Sequence, residues 1–580
     1  MKLKKLSRVL ALAFACTPLA HAATNSVKLK IVAINDFHGQ LESPGSLRNL
    51  PTDSTATVPV GGVDWLAGYI ADVKSKNPNT VVVSAGDLIG ATPLVSALFH
   101  DEGTIETMNR AGLEINAVGN HEFDEGKNEL LRMQNGGCHP TDVNSCQGAV
   151  VGTPVPFEGA RFKFLAANVI EKASKNTLFP AYEIKEYEGV KVAFIGMTLK
   201  ETPTIVTPSG VAGLKFNDEI HTVNTLVPKL RALGAEAIVV LIHQGGVVPE
   251  AASLATINNC AGNLDGSPIK TIVNGLSDAV DVVISGHTHN AYNCKLTTRN
   301  GKHLIPVTSA NSQGRVYTEL DVVLNKTTGQ VRSVKATNVA LDQRNTAITA
   351  DADIKQIVTN YKGLVSGIAN RVIGSITDSL TRTNSVAGEN VMGDVIADAQ
   401  LAATQEPKFG GAQIAFMNPG GVRADLTYSS SSLGEGDGNV TFGEAFTVQP
   451  FGNSLVTLTL TGAQIEELLE QQFTGCTNNQ PFNRILLAST GFNYVWNASG
   501  FSCDHIDPAT ITLNGVMLDP LANYRVTVNS FLADGGDNFK VLIKGTNRLG
   551  GAQDNDALEA YFVAHSPISP VVLNRIQQLP

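Results

Sequence analysis

The feature that most constrains this chain is a pattern in its first half, where short apolar runs end in side chains able to bind a metal ion. Residues 31–34 predict a buried strand, and Asp36 and His38 follow it. These two side chains lie two positions apart just past the strand end, so both can turn toward one point in space. Four later apolar runs end the same way, in Asp87, in Asn120 with His121, in His243, and in His287 with His289.

The most specific signal is residues 115–124, an apolar run followed by Asn120, His121 and Asp124. The needs of folding hardly explain an amide, an imidazole and a carboxylate so close together. Asn120 can offer a neutral oxygen to a metal ion, and His121 can donate a proton or a hydrogen bond to a developing oxyanion. Asp124 is placed to fix the tautomer of His121 and to raise its basicity.

The strand ends together supply a set of oxygen and nitrogen donors, which are Asp36, His38, Asp87, Asn120, His243, His287 and His289. This set is too large for one tetrahedral site and suits two ions that share Asp87. Considered without the other motifs, Asp87 is equally well explained as a metal ligand or as a residue that caps the next helix. The mixture of carboxylate and imidazole fits Zn, Mn or Co and does not choose among them.

The composition predicts an exported protein of several domains. A chain of 580 residues is too long for one core. A net charge of −10 without a basic cluster argues against a nucleic-acid polymer as partner. Residues 1–22 have the pattern of a signal peptide, with an apolar stretch too short to span a membrane. Cys16 raises a lipoprotein alternative, which the residues before it fit poorly. The mature protein is therefore expected to be soluble and either periplasmic or secreted.

Six cysteines remain once Cys16 is removed, an even number that fits an oxidising compartment. Six cysteines allow about 15 pairings. We favour partners that are close in sequence, because each loop then stays within one predicted domain. The resulting disulfides are Cys138–Cys146, Cys260–Cys294 and Cys476–Cys503.

The second half carries signals of a different kind. Residues 351–369 predict a helix that follows a largely polar segment. Residues 414–423 predict a strand and a glycine-rich turn that presents Asn418 and Arg423, a combination able to bind an anion. Phe451 and Phe531 lie on loops with glycines nearby, where they are poorly placed for a core and well placed to stack on a planar ring.

These motifs, D-x-H, G-D, G-N-H-E-F-D, H and G-H-x-H in chain order, resemble the calcineurin-like metallophosphoesterases. The stretches around Asp36 and Asp87 look like those of the secreted 5′-nucleotidase family, which includes periplasmic UDP-sugar hydrolases. The resemblance implies an α/β fold with a four-layer β-sandwich metallophosphoesterase domain flanked by helices over 25–343. It further implies a linker helix within 344–369 and an α/β substrate-binding domain over 370–580 that rotates.

The resemblance also implies roles for single residues. Asp36, His38, Asp87 and His289 would hold one metal ion; Asp87, Asn120, His243 and His287 would hold the other. His121 and Asp124 would form the catalytic dyad. On the substrate side, Phe451 and Phe531 would clamp the base, Asn418 and Arg423 would contact the substrate, and Asp537 the ribose hydroxyls. Family members carry further phosphate-binding arginines just before a helix, where this chain offers Arg382 at a different spacing.

The expected function is that of an exported 5′-nucleotidase, which releases phosphate from nucleoside 5′-phosphates by attack of a metal-activated water. Two sister activities on the same scaffold stay open: UDP-sugar hydrolysis, and 2′,3′-cyclic nucleotide phosphodiesterase with 3′-nucleotidase activity. A different class also stays open, a secreted nucleotide-binding protein without turnover. Activity that is lost with EDTA and restored by metal would exclude this last alternative.

Overall fold

The computed structural model describes residues 25–580 apart from 207, 430–433, 477 and 479. The expected signal peptide and Cys16 lie outside these described residues. Within them, a pair of mixed sheets lies face to face in the first half. The first sheet has the strand order Val331–Ala340, Val316–Asn325, Ser26–Ile34, Thr80–Ser84, Ile115–Ala117 and Lys163–Leu165. The second has the order Ala291–Thr297, Leu304–Ala310, Val282–Ser285, Ala235–His243, Val190–Thr198 and Tyr182–Tyr187.

The central strands are buried on both faces, which explains why they read as continuous apolar runs. On Ser26–Ile34, Ile31 and Ala33 pack between the sheets, while Val32 and Ile34 pack toward the outer helices. The helices that cover the first sheet include Val63–Lys76, Glu102–Ala111 and Ala352–Ala369, and those that cover the second include Glu219–Ala232 and Pro268–Gly275. The expected four-layer α/β architecture is therefore confirmed.

The topology brings the reactive strand ends together. Ser26–Ile34, Thr80–Ser84 and Ile115–Ala117 run parallel to one another, and so do Val190–Thr198, Ala235–His243 and Val282–Ser285 in the other sheet. The carboxyl ends of parallel strands meet at one edge of a sheet, where ligands bind in open α/β folds. Both sheets therefore deliver their polar termini to one place.

The linker helix Ala352–Ala369 begins at Asp351, whose side chain accepts a hydrogen bond from the backbone N–H of Ile354 at 2.9 Å. Its buried stripe, which includes Ile357 and Tyr361, belongs to the core of the first half. The helix is thus packed on that half along its length. Rotation of the second half about it stays a prediction.

The second half has its own cores around further sheets. The larger sheet has the order Leu487–Ala488, Ile414–Met417, Asn523–Asn529, Ser454–Thr461 and Thr546–Gln553. A smaller one joins Phe492–Phe501 to Asp504–Ile506, Thr512–Leu513 and Ile576–Leu579, with Val516–Met517 at its edge. The longer helices here are Val391–Thr404, Phe442–Val448, Gly462–Glu470 and Asp554–His565. The ranges expected for the domains stay predictions.

Shorter elements complete the described chain. Two-stranded pairs join Ser46–Leu50 to Asp53–Pro59, Val169–Glu171 to Leu214–Phe216, and Val372–Ser375 to Asn439–Thr441. The remaining α-helices are Leu94–Ala97, Lys127–Asn135, Gly148–Val151 and Ser530–Ala533. The expected disulfides Cys138–Cys146, Cys260–Cys294 and Cys476–Cys503 are all formed. Among the described residues, none of the helices has the length and apolar character needed to cross a membrane.

Candidate metal centre

Two clusters of carboxylates and imidazoles lie where the sheets deliver their strand ends. One cluster is Asp36, His38 and His289, the other is Asp87, His243 and His287, and within each the ligand atoms lie no more than 4.8 Å apart. In the first, the two Nε2 atoms of His38 and His289 are 3.0 Å apart. In the second, Nε2 of His243 lies 2.9 Å from a carboxylate oxygen of Asp87. The structure therefore brings six of the seven expected ligands into two adjacent groups.

Hydrogen bonds on the far side of two rings decide which nitrogen faces each cluster. Nδ1 of His38 donates to the carbonyl of Gly90 at 2.8 Å, and Nδ1 of His243 donates to the carbonyl of Ala85 at 2.9 Å. A carbonyl oxygen only accepts, so Nδ1 carries the proton in each ring. The lone pair on Nε2 then faces the cluster, which is the arrangement of a metal-ligating histidine.

The seventh expected ligand, Asn120, supplies an independent test of the fit. Its side-chain oxygen is buried and has no hydrogen-bond donor among the described residues. Nε2 of His243 is also buried and makes no well-aligned hydrogen bond in the described chain, although a carboxylate oxygen of Asp87 lies 2.9 Å from it. Buried polar atoms are normally paired because an unpaired one is costly. Two buried acceptors beside a pair of carboxylates fit a divalent cation, and these donor types suit Zn, Mn or Co.

The charges of two histidines fit metal ligands, whereas that of His243 differs. Burial lowers the pKa of His243, but Asp87 and Asp36 outweigh this effect and raise the pKa to about 9, so metal binding there would have to displace a proton. Burial lowers the pKa of His38 and that of His287 to about 3, so both rings are neutral, as ligands must be. Burial raises the pKa of Asp36 to about 7, against the opposing effect of His243. A cation at this position would offset the cost of that buried carboxylate.

The backbone at the ligands is held in an uncommon conformation. Asp36, Asp87 and His287 have φ angles of 49°, 49° and 73°, in the left-handed region that non-glycine residues rarely adopt. Gly119 is required for a related reason, since a Cβ atom there would lie 2.2 Å from a carboxylate oxygen of Asp87. Strain of this kind concentrates at functional sites.

Glu122 holds this arrangement from behind, and sequence reasoning assigned it no role. Its buried carboxylate accepts hydrogen bonds from the backbone N–H groups of Asp87, Leu88 and Gly119 at 3.0, 2.8 and 2.6 Å. The side chain of Asn116 donates a further one at 3.1 Å. The sequence signal that could have identified Glu122 is its position within residues 115–124, the stretch with the most specific motif of the chain.

The expected dyad is formed beside the clusters. Nδ1 of His121 donates to the carboxylate of Asp124, with N–O distances of 2.9 and 3.1 Å. Burial lowers the pKa of His121, but the charges of Asp124 and Asp87 outweigh it, so the pKa is raised above its ordinary value. The ring of Phe451 stacks on that of His121 at a centroid distance of 5.7 Å.

A cavity of about 640 Å³ leads from the dyad into the second half of the chain. The first half contributes Asn120, His121, Asp124 and His287 to its wall; the second half contributes the expected Asn418, Arg423, Phe451, Phe531 and Asp537. The amide of Asn418 donates to the carboxylate of Asp537 at 2.9 Å. Two residues of the candidate metal centre, Asn120 and His287, thus line the same cavity as the substrate-side residues.

Arg382 is placed differently from the expectation. It does not line the cavity in the part of the chain that the structure describes. Its exposed guanidinium pairs with Asp425 at 3.0 Å instead. Arg484 lines the cavity and pairs with Asp537 at 3.0 Å. Sequence reasoning missed Arg484 because it lies in an irregular polar stretch that carries no motif.

Known proteins with the same features support the resemblance. The calcineurin-like phosphoesterase family matches residues 29–291, and the 5′-nucleotidase C-terminal domain family matches residues 372–544. Endonuclease YhcR of Bacillus subtilis is 30% identical over 93% of this chain, and cell wall protein Lmo0130 of Listeria monocytogenes is 32% identical over 90%. The chain spans only 40% and 65% of the lengths of these two relatives.

A solved structure agrees over nearly the whole chain. The crystal structure of the 5′-nucleotidase precursor from Thermus thermophilus superposes with a TM-score of 0.75 and 26% identity, covering 95% of this chain and 99% of its own. The clusters, the dyad and the shared cavity lie within the two matched regions. The chain therefore belongs to the family of metal-dependent calcineurin-like phosphoesterases that carry a 5′-nucleotidase C-terminal domain.

Proposed function

We propose that this protein hydrolyses the phosphate ester of nucleoside 5′-monophosphates and is exported. One observation carries the proposed activity: a single cavity is lined by Asn120 and His287 of the candidate metal centre, by the dyad, and by amide, carboxylate and aromatic side chains from the second half. Export is supported by the disulfides, which persist in oxidising compartments.

The first half would hold the reacting phosphate. Asp36, His38, Asp87 and His289 would bind one divalent ion, and Asp87, Asn120, His243 and His287 the other. Such a pair supplies a nucleophile at neutral pH and neutralises charge on the phosphoryl oxygens. His121, with its raised pKa and its hydrogen bond to Asp124, is able to donate a proton or a hydrogen bond to an oxygen on which charge develops.

The second half would hold the nucleoside. Arg423 lines the cavity and presents a guanidinium for the phosphate. Asp537 and Asn418, which are hydrogen-bonded to each other, offer acceptors and donors for ribose hydroxyls. Contacts made away from the reacting centre position the phosphate, so nucleoside binding contributes to the rate.

The direct test is phosphate release from AMP by the purified protein with Mn²⁺ or Zn²⁺, with and without EDTA. Release that stops with EDTA and returns with added metal is the expected result. Absence of release with either metal contradicts the proposed activity on 5′-monophosphates. If AMP binds without turnover, the chain is instead a nucleotide-binding protein.

Hydrolysis of a phosphodiester is the second candidate. It is favoured by the name of the endonuclease relative and by the position of Arg382 away from the cavity. With Arg382 paired to Asp425, one guanidinium fewer lines the cavity, which would leave room for an ester substituted on both sides. A panel of AMP, ATP, UDP-glucose, 3′-AMP, 2′,3′-cAMP and single-stranded DNA separates the two candidates by their relative kcat/KM.

A further inference from the structure

Arg484 lines the cavity with part of its guanidinium unpaired. Its side chain is only 11% exposed. Nη1 donates to the side-chain oxygen of Gln480 at 3.2 Å and lies 3.0 Å from a carboxylate oxygen of Asp537. Nε and Nη2 have no hydrogen-bond acceptor in the part of the chain that the structure describes. Donors in such a confined position are normally paired, so we expect this edge of the guanidinium to contact a ligand.

Neighbouring side chains fix the orientation of this free edge. The guanidinium carbon of Arg484 lies 4.4 Å from the centroid of the Phe482 ring, which covers one face of the guanidinium plane. The side chain of Gln480 also donates to the backbone carbonyl of Asp537 at 2.9 Å, so the two residues that hold Nη1 are joined to each other. A planar donor group held in this way loses little freedom when it binds a partner.

The free edge lies on the nucleoside side of the cavity. Phe531, which the sequence analysis assigns to the base, lines the same cavity. Its ring packs on Gly536, where a Cβ atom would lie 2.5 Å from it. Gly536 directly precedes Asp537, the ion-pair partner of Arg484. Arg484 is therefore close to the expected position of the base.

An uncharged acceptor suits this edge better than a phosphate does. The carboxylate of Asp537 already balances the charge of Arg484 and would repel an anion placed beside it. Arg423 forms no ion pair among the described residues, and its guanidinium carbon lies 5.7 Å from the ring centroid of Phe451. Phe451 in turn stacks on His121 of the dyad. The phosphate side of the cavity thus has Arg423, and Arg484 is left for the base.

We propose that Arg484 is a specificity-determining residue that makes the cavity prefer guanine over adenine. The inference rests on the proposed function, because it takes a nucleotide as the occupant of the cavity. Two neighbouring N–H groups match two adjacent acceptors, which guanine offers in O6 and N7. Adenine offers N7 beside an amino group that donates. A bidentate contact of this kind discriminates between bases by roughly 5- to 140-fold.

The first test compares substrates of the wild-type protein. Its kcat/KM should be higher for GMP than for AMP by roughly 5- to 140-fold. IMP keeps O6 and N7 but lacks the 2-amino group, so it should behave as GMP does. In 7-deaza-GMP a C–H group replaces N7, so this analogue should lose part of the advantage. Equal kcat/KM for GMP and AMP, or an IMP value equal to that of AMP, overturns the inference.

The second test removes the donors. In Arg484→Met, the ratio of GMP to AMP activity should fall by roughly 5- to 140-fold. Loss of the ion pair with Asp537 affects both substrates alike and cancels in this ratio. Arg484→Lys restores a positive charge for Asp537 and should recover activity toward AMP without recovering the ratio, because an ammonium group lacks the planar pair of donors. A wild-type ratio in Arg484→Met overturns the inference.

Arg548 provides a matched control in the same half of the chain. It forms an ion pair with Asp534 at 2.6 Å and does not line the cavity in the described chain. Arg548→Met should leave the ratio of GMP to AMP activity unchanged. An equal change of the ratio in Arg548→Met and Arg484→Met would overturn the inference, since the effect would then not come from the cavity.

Nucleoside binding to the metal-loaded protein, measured by calorimetry, separates this inference from the proposed function. Guanosine and adenosine have no phosphate to release, so their binding does not depend on turnover. Tighter binding of guanosine than of adenosine to the wild type, but not to Arg484→Met, supports the inference even if no nucleotide is hydrolysed. Equal binding of the two nucleosides to the wild type, or binding of neither, overturns it even if AMP is hydrolysed.

Discussion

Glu122 supports the candidate metal centre through the main chain. Its carboxylate accepts backbone N–H groups of the turn that carries Asp87 and of the turn that carries Asn120. Both turns must keep their shape for their ligands to face the same point. Residues that orient ligands contribute about 10- to 100-fold to metal affinity in other metalloproteins.

Glu122→Gln should therefore weaken metal binding by about 10- to 100-fold, since an amide NH₂ group would face backbone donors in place of an acceptor. Calorimetric titration of the metal-free protein with Zn²⁺ or Mn²⁺ measures the change. Glu125→Gln, which removes an exposed carboxylate paired with His100, serves as the control. Equal metal affinity in the two variants would show that Glu122 has no positioning role.

His121→Ala separates catalysis from metal binding. Turnover of AMP should fall by about 10²- to 10⁴-fold, the range of general acid–base catalysis. Metal content should remain near that of the wild type, because His121 belongs to neither ligand cluster. Steady-state kinetics combined with elemental analysis checks both. Loss of metal in this variant would mean that His121 is itself a ligand.

At the scale of elements, His100 joins segments that are far apart in sequence. It lies just before the helix Glu102–Ala111, and its two ring nitrogens contact Glu125 at 2.6 Å and Asp142 at 3.0 Å. His139, within the disulfide-closed loop, stacks on its ring with centroids 4.4 Å apart. The turn after the dyad is thereby attached to that loop.

This contact predicts a dependence of stability on pH. Burial lowers the pKa of His100, but Glu125, Glu129 and Asp142 outweigh it and raise the pKa from 6.5 to about 9. The stabilisation is therefore complete below pH 6.5 and is lost as the pH rises through 9. Urea unfolding of wild type and His100→Gln should give a stability difference that shrinks over this window. His221→Gln, on an exposed helix face, is the control, and a constant difference would contradict the assignment.

The elements also explain what the sequence made predictable. The candidate ligands Asp36, Asp87 and His287 were predictable from the sequence because each follows a buried parallel strand, and such strands leave a clear apolar pattern. Arg484 was not found, since it lies in irregular chain and reaches the cavity through its contact with Asp537, which is distant in sequence. A tertiary contact of that kind leaves no periodic pattern of apolar residues in the sequence.

The same limit explains the different position of Arg382. The resemblance suggested a phosphate ligand at that point of the chain, and the residue is present. Its guanidinium instead forms an ion pair with Asp425, which lies close to Arg423 in sequence. A nearby carboxylate thus determines the orientation of an exposed arginine. A short sequence motif does not contain that carboxylate and therefore cannot predict the orientation.

At the scale of the whole molecule, the candidate metal clusters contain residues from both sheets of the first half. Asp36 and Asp87 follow strands of one sheet, and His243 and His287 belong to the other. Bound ions would therefore cross-link the sheets. Ligands that bind only the folded state stabilise it by about 2.7 kcal/mol at 100 times Kd.

Removal of metal by EDTA should accordingly lower the Tm, and readdition of Zn²⁺ or Mn²⁺ should restore it. Elemental analysis of the active protein should find two bound equivalents per chain, one for each cluster. His121→Ala should show the same change in Tm as the wild type, because it keeps both clusters. Fewer than two equivalents in active protein would contradict the assignment of a two-metal centre.

The shared cavity has a consequence for how new specificities arise in such a protein. The groups that would perform the reaction come from one half of the chain, and most of those that would choose the substrate come from the other. Changes in the choosing half leave the reacting half intact. A library of variants confined to residues 480–485 and 529–539 should therefore yield altered base preference while the chemistry of ester cleavage is inherited unchanged.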